Sequence, residues 1–305
     1  MILACGEALI DMLPRESTAG EPAFAPYPGG AVFNTAIGLG RLGVKTQFLC
    51  GMSSDFLGDI LRDALSDAGV DHSPSPSMMA PCTVAFVKLV DGQATYAFYD
   101  ENSAMRTVTT MPAVEADALF FGGISLVGDG CGAAYESLML REAPSRVTMI
   151  DPNIRPSFIT DVVTYRARIE RMMAAADIIK LSDEDLHWFE GEGSLADLAR
   201  GLVEKGAKLV CITEGSKGVT GYTATQEVFV AADKAEVVDT VGAGDTFNAG
   251  VLAGLERAGC LSKARIAALT EDEISGALSL GARAAAVTVS RAGANPPTAA
   301  ELGLD

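Results

Sequence analysis

Imidazole is nearly absent: the 305 residues hold two histidines, His72 and His187, both of which read as surface or helix positions. Any acid–base chemistry must therefore run largely on other groups. Thiol chemistry is equally thin. Cys5, Cys50, Cys82, Cys131, Cys211 and Cys260 are scattered with no C-x-x-C pair, which excludes a disulfide framework and a zinc site. They read as buried, reduced thiols of a cytoplasmic protein. Long hydrophobic runs are missing. The strongly apolar, uncharged stretch 118–128 is too short to span a bilayer. The apolar N-terminus meets Glu7 and Asp11 with no basic residue before it, so no signal peptide is expected. Positive charge is scarce, with 23 Lys and Arg against 40 Asp and Glu, a net charge of −17. That balance excludes a general nucleic-acid or anionic-membrane binder. No G-x-x-x-x-G-K-[ST] loop and no protein-kinase motif occurs.

What is present is ordinary globular composition, 49% apolar and 21% charged. The length suits one large domain over 1–305. Strand-like runs at 1–10, 46–50, 118–123, 146–151, 177–182 and 208–213 alternate with helical patterns at 30–42, 57–68, 133–142, 162–176 and 195–205. Short β-rich runs separated by helices predict an α/β fold, a mostly parallel sheet with helices on both faces. Two regions break the alternation. Residues 12–28 are proline-bearing without a helix signature, and residues 82–99 read as a hairpin around Asp91-Gly92. Together, over about 12–28 and 82–100, they predict a small β-sheet lid.

The glycines carry the functional signal. Gly38, Gly40 and Gly43 match G-x-G-x-x-G, but they follow a helix and precede a strand. The dinucleotide fingerprint needs the opposite order, so Gly43 reads as a helix C-cap. Residues 236–252, EVVDTVGAGDTFNAGVL, are sharper. Residues 236–239 predict the end of a strand, Gly242-Ala243-Gly244 a tight turn, and Asp245 the first turn of a helix. Small residues at a helix start leave N–H groups free to face an anion. Asp245 beside them suits phosphoryl transfer, with backbone donors on the moving group and a carboxylate taking the hydroxyl proton. The helix terminus is expected to keep Asp245 ionised. Upstream, the run Pro28-Gly29-Gly30-Ala31-Val32-Phe33-Asn34-Thr35-Ala36 opens a helix, and Asp11 adds a carboxylate suited to paired hydroxyls.

GGAVFNTA and DTVGAGDTFNAG, about 200 residues apart and in order, resemble the two signatures of the ribokinase-like (PfkB) carbohydrate kinase family. The resemblance covers essentially the whole chain. It implies an α/β domain with a β-sheet lid and transfer of the ATP γ-phosphoryl to a sugar hydroxyl, with Mg²⁺ and with K⁺ near Asp239 and residues 292–295. It makes Asp245 the base, Gly242, Ala243 and Gly244 the anion hole, and Asp11, Gly29, Gly30, Asn34 and Asn153 sugar contacts. Arg155, Lys180, Thr213, Gly215 and Gly218 would meet the nucleotide. The family's N-x-x-E is replaced by Ser182-Asp183-Glu184-Asp185, leaving Asp185 to order magnesium-bound water.

On the lid, Tyr96 and Phe98 share one strand face and are expected over the sugar. The stretch YAFYDENSA resembles that of bacterial fructokinases, and Asp100 stands where ketodeoxygluconate kinases tend to carry Arg. Its negative charge is expected to repel an acidic sugar. Fructose is thus the expected substrate, phosphorylated at a primary hydroxyl. Ketodeoxygluconate, ribose and nucleosides remain alternatives, as does a catalytically silent sugar-binding relative. The apolar lid predicts a homodimer.

Overall fold

The computed structural model describes residues 1–90 and 93–304, with side chains described outside 89–96. The elements run β1 (Ile2–Cys5), β2 (Leu9–Glu16), β3 (Pro22–Gly29), α1 (Ala31–Arg41), β4 (Thr46–Leu49), β5 (Met52–Ser53), α2 (Phe56–Asp67), β6 (Ser77–Met78), β7 (Val84–Val90), β8 (Gln93–Tyr99) and α3 (Ala104–Thr107). They continue through β9 (Ala118–Gly122), α4 (Asp129–Glu142), β10 (Val147–Asp151), α5 (Val162–Ala175), β11 (Ile178–Ser182), α6 (Asp183–Glu190), α7 (Leu195–Glu204), β12 (Leu209–Thr213), β13 (Gly218–Tyr222), β14 (Glu227–Ala231), α8 (Ala243–Arg257), α9 (Lys263–Ile266) and α10 (Glu271–Val289).

The main sheet has the order β14-β13-β12-β11-β10-β9-β1-β4. It is parallel from β12 to β4 and closes with the antiparallel pair β13 and β14. Its strands alternate between two cores, as period-2 side chains must when both faces are covered. Ile2, Ala4, Phe120, Ile178, Leu209 and Cys211 pack with α1, α2, α8 and α10 on one face. Leu3, Cys5, Leu119, Phe121, Ile179, Val210 and Ile212 pack with α4, α5, α6 and α7 on the other. These strands thus read as continuous apolar runs, which is why they were visible in the sequence.

A second sheet, β3-β2-β7-β8, is the lid. Its β2–β3 and β7–β8 pairs are antiparallel, and β2–β7 is parallel over Ile10 to Met12. The expected turn Asp91-Gly92 lies outside the described residues. Two expectations need correction. The strand foreseen over 1–10 breaks at Gly6, Glu7 and Ala8, so β1 belongs to the main sheet and β2 already to the lid. Residues 236–239 form no strand; the N–H groups of Val238 and Asp239 donate to the Val289 carbonyl at the end of α10. The β13–β14 hairpin, short and glycine-interrupted, went unread. Gly43 follows α1 with a left-handed φ of 80°, as a C-cap should.

Candidate active site

The C-terminal ends of β1, β9, β10, β11 and β12 converge on one edge, where open α/β sheets bind ligands. Asp151 ends β10, Lys180 lies within β11, and Thr213 ends β12 beside Ser182 of β11. Above them stands the N-terminus of α8. Its cap, Gly242, is left-handed at φ 77°, and a Cβ there would fall 2.5 Å from Ala294 Cβ. Only glycine makes this turn without strain. No side chain caps α8; the Ala243 N–H donates to the Thr240 carbonyl at 3.3 Å, and the remaining N–H groups of the turn suit an anion. Asp239 ties the turn down, accepting from Val241 N at 3.0 Å and from Gly293 N at 2.9 Å.

Asp245, in the first turn of α8, is 8% exposed. Its Oδ2 accepts from Asn34 Nδ2 at 2.9 Å, and its carbonyl accepts from Thr35 Oγ1 at 3.1 Å. Helices α1 and α8 are therefore locked together at the carboxylate. Burial pushes its pKa up to about 7, against the stabilising Asn34 bond, with Asp151 adding to the rise and Lys180 opposing it. This corrects the expectation of a firmly ionised base, because in this pocket desolvation outweighs the helix terminus.

Beneath Asp245, Lys180 Nζ pairs with Asp151 Oδ2 at 3.0 Å, and Asn248 Nδ2 donates to the same oxygen at 2.7 Å. Both members of the ion pair are buried. Lys180 also approaches the anion turn: its Nζ lies 3.3 Å from where a Cβ on Gly244 would stand. It brings a cation to the anion turn of a chain that has no Walker loop. Asn153, in a left-handed turn at φ 46°, donates its N–H to Asp151 Oδ1 at 3.0 Å. Ser182 caps α6 by accepting from Asp185 N at 3.0 Å, and Asp185 Oδ1 accepts from Ile154 N at 3.2 Å. Burial raises the Asp185 carboxyl, with the Asp151 charge adding to the rise. The neighbouring Arg155 is exposed and forms no ion pair among the described residues; its Nη1 donates to the Ile154 carbonyl.

The side of the site facing the lid is built from β2, β3 and α1. Asp11 is half-buried, and burial raises its carboxyl to about 6. A Cβ on Gly29 would fall 2.4 Å from Asp11 Oδ2, so glycine there lets the carboxylate lie against the opposite strand. Phe98 packs edge-on against Phe158, ring centroids 4.4 Å apart, joining the lid to the segment after β10. The side chain of Tyr96 lies outside the described residues. Asp100 is corrected: it is no bare charge, since Arg106 grips it through Nε at 2.8 Å and Nη2 at 2.6 Å. The expected repulsion of an acidic sugar loses its basis.

Thr213 hydrogen-bonds across to the Leu181 carbonyl. Gly215 sits in the turn into β13, and Gly218 starts β13, where a Cβ would strike the Val230 carbonyl at 2.2 Å. The motifs assign no role to Glu7 or Asn248, and Asp151 enters them only as the first residue of the D-x-N-x-R segment Asp151-Pro152-Asn153-Ile154-Arg155. Glu7 and Asp151 are carboxylates at the C-terminal ends of buried strands, a position that signals them. Asn248 lies one helical turn beyond Asp245, and its Nδ2 donates to Asp151 Oδ2.

For a metal, no cluster of three or more His, Cys, Asp or Glu side chains exists among the described residues. Asp185 and the buried Asn248 Oδ1, which has no hydrogen-bond partner, are single oxygen donors. Such a set fits a cation carried chiefly by phosphate and water. No helix among the described residues is long and apolar enough to cross a membrane.

Residues 1–301 match the pfkB family carbohydrate kinase model. The chain is 54% identical over 278 residues to a fructokinase of Rhizobium leguminosarum bv. trifolii, covering 90% of this chain and 85% of the relative. Among solved structures, the fructokinase of Xylella fastidiosa with bound ATP superposes with a TM-score of 0.89 at 27% identity, over 99% of this chain and 97% of that one. The aminoimidazole riboside kinase of Salmonella enterica gives 0.83 at 26% identity, over 99% and 97%. The match spans both glycine turns and the Asp245 helix, and the chain belongs to the pfkB family of carbohydrate kinases.

Proposed function

We propose that this kinase is a fructokinase that transfers the γ-phosphoryl of ATP to a primary hydroxyl of fructose. The observation that carries the chemistry is Asp245, buried, hydrogen-bonded by Asn34 and set directly behind the Gly242 turn. The hydroxyl oxygen forms the new bond to phosphorus, the bond from the γ-phosphorus to the bridging oxygen breaks, and ADP leaves. Asp245 takes the hydroxyl proton; a base near pKa 7 is well matched to neutral operation. The N–H groups of Gly242, Ala243 and Gly244 receive the charge of the moving group, with Lys180 behind them. Asp185 would hold the water of a Mg²⁺ ion carried by ATP, and that ion would supply neutralisation of the phosphate charge. Arg155, exposed and unpaired, reaches the phosphates as a fixed fork. Thr213, Gly215 and Gly218 line the nucleotide, and backbone oxygens near Asp239 and residues 292–295 would hold a K⁺ ion.

Asp11, Gly29, Gly30, Asn34 and Asn153 hold the sugar, with Phe98 and Tyr96 from the lid. Fructose is favoured by the 54% identical fructokinase. Because Asp100 is neutralised by Arg106, 2-keto-3-deoxygluconate is the competitor to test. The chain works as one α/β unit over 1–305, in a reducing cytoplasm that suits six buried free thiols. It pairs through the lid as a homodimer. An ADP-release panel of fructose, 2-keto-3-deoxygluconate, ribose, glucose and adenosine, with and without K⁺, tests this reading. Fructose should lead by at least about tenfold, which corresponds to a difference of about 1.4 kcal/mol. Preference for the sugar acid would overturn the substrate.

A further inference from the structure

Glu7 lies in the break between β1 and β2, is 1% exposed, and has no cationic partner among the described residues. Its surroundings consist of backbone donors. Oε1 accepts from Ala31 N at 2.8 Å and from Val32 N at 3.4 Å. Oε2 accepts from Ser125 N at 3.2 Å. Ala31 and Val32 are the first residues of α1, the helix that has no side-chain cap of its own. Ser125 lies in the short 3-10 turn that follows β9. One carboxylate thus caps the sugar-side helix and joins it to the end of another strand.

Two neighbouring glycines stand against Glu7. Gly30 has φ 111°, and a Cβ there would fall 2.9 Å from the Glu7 carbonyl oxygen. Gly123 has φ 65°, and its Cβ would stand 2.0 Å from Glu7 Oε1. Burying a carboxylate is costly unless donors meet it, and here three N–H groups at two helix starts do so. The site gains a fixed position for Gly29, Gly30 and Asn34, and the α1 N-terminus is filled by an internal anion.

We infer that Glu7 is a positioning residue for the sugar: its carboxylate pins the Gly29-Gly30 turn and the start of α1 to the segment after β9, and closes the donors of α1 to an external anion. This rests on the sugar-kinase reading. In Glu7→Gln the amide keeps the size and can accept from Ala31, but its NH₂ opposes the Ser125 N–H. The expected result is a sugar KM raised about 10- to 100-fold, the worth of one hydrogen bond to a charged group, with ATP KM and kcat within about threefold. A role in folding alone would not separate the two substrates.

The test has a second arm that needs neither turnover nor a variant. In the parent protein, hydrogen exchange at Ala31, Val32 and Ser125 should be slow and occur together, although first-turn amides of a helix lack intrahelical acceptors. A folded Glu7→Gln enzyme with unchanged sugar KM, or with sugar and ATP KM rising in step, overturns the proposal. If Glu7→Gln does not fold, exchange decides: joint protection supports the pin, and rapid or unrelated exchange overturns it. A parent without sugar-dependent ADP release would instead sink the kinase reading, while exchange still judges the pin.

Discussion

At the scale of single residues, the site is a set of carboxylates whose protons are set by burial. Asp245, Asp11, Asp185 and Glu7 are all raised, in each case mainly by desolvation. Two consequences follow for pH. The rate constant kcat/KM should fall as pH drops below about 7, because protonated Asp245 cannot take the hydroxyl proton. A pH–rate profile flat down to pH 5 would contradict this. Stability runs the other way. Unfolded carboxyls titrate near 4, so between about 4 and 7 the native state binds more protons than the unfolded chain. Native stability is then greatest at the acid end of that window and is lost as pH rises through the folded pKa values. The ligand-free melting temperature should thus be higher at pH 6 than at pH 8, and Asp245→Asn should flatten the difference. Carboxyls lowered by their partners, such as Asp55, Asp71 and Glu142, act below this window.

At the scale of elements, the anion turn is the least replaceable part. Gly242→Ala combines a left-handed φ of 77° with a Cβ 2.5 Å from Ala294. The strain alone is about 1–2 kcal/mol. The expected outcome is a kcat lowered at least about tenfold, with sugar binding by calorimetry retained. Loss of sugar affinity with kcat intact would contradict the placement of the turn. This element was legible in the sequence because its chemistry lies in adjacent residues, GAGD opening a helix. The same holds for Gly29-Gly30 before α1, and for the parallel strands, whose apolar runs reflect burial on both faces. What escaped reading was assembled across the chain. Glu7 serves α1 from 24 residues away. Arg106 neutralises Asp100 through a helix that starts after the lid. The charge state of Asp245 is not legible locally, because burial in the folded chain raises its carboxyl and the Asn34 bond that opposes the rise comes from 211 residues away. Ser182 was read as a departure from a family motif, and it is a helix cap that directs Asp185.

At the scale of the molecule, the lid is a four-stranded sheet with an aromatic run across three strands. Phe24 stacks edge-on with Phe86 at 5.0 Å, and Phe86 with Tyr99 at 5.7 Å. Phe24 is 48% and Tyr99 65% exposed. A face of this kind is a candidate for coverage by a second copy. Light scattering at micromolar concentration should give a dimer, and Phe24→Ser with Tyr99→Ser should shift it toward monomer. A monomeric parent would contradict the lid interface. The overall charge of −17 offers ATP no net attraction. On the proposed function, binding of the phosphates would therefore be local, at the Gly242 turn, Lys180 and Arg155.

If Asp245 is the base of a sugar-phosphorylating site, magnesium-dependent ADP release with fructose should separate the parent from Asp245→Asn. The variant should keep the fold and the Asn34 contact and lose about 10²- to 10⁴-fold in kcat. Turnover in Asp245→Asn equal to that of the parent would contradict the account.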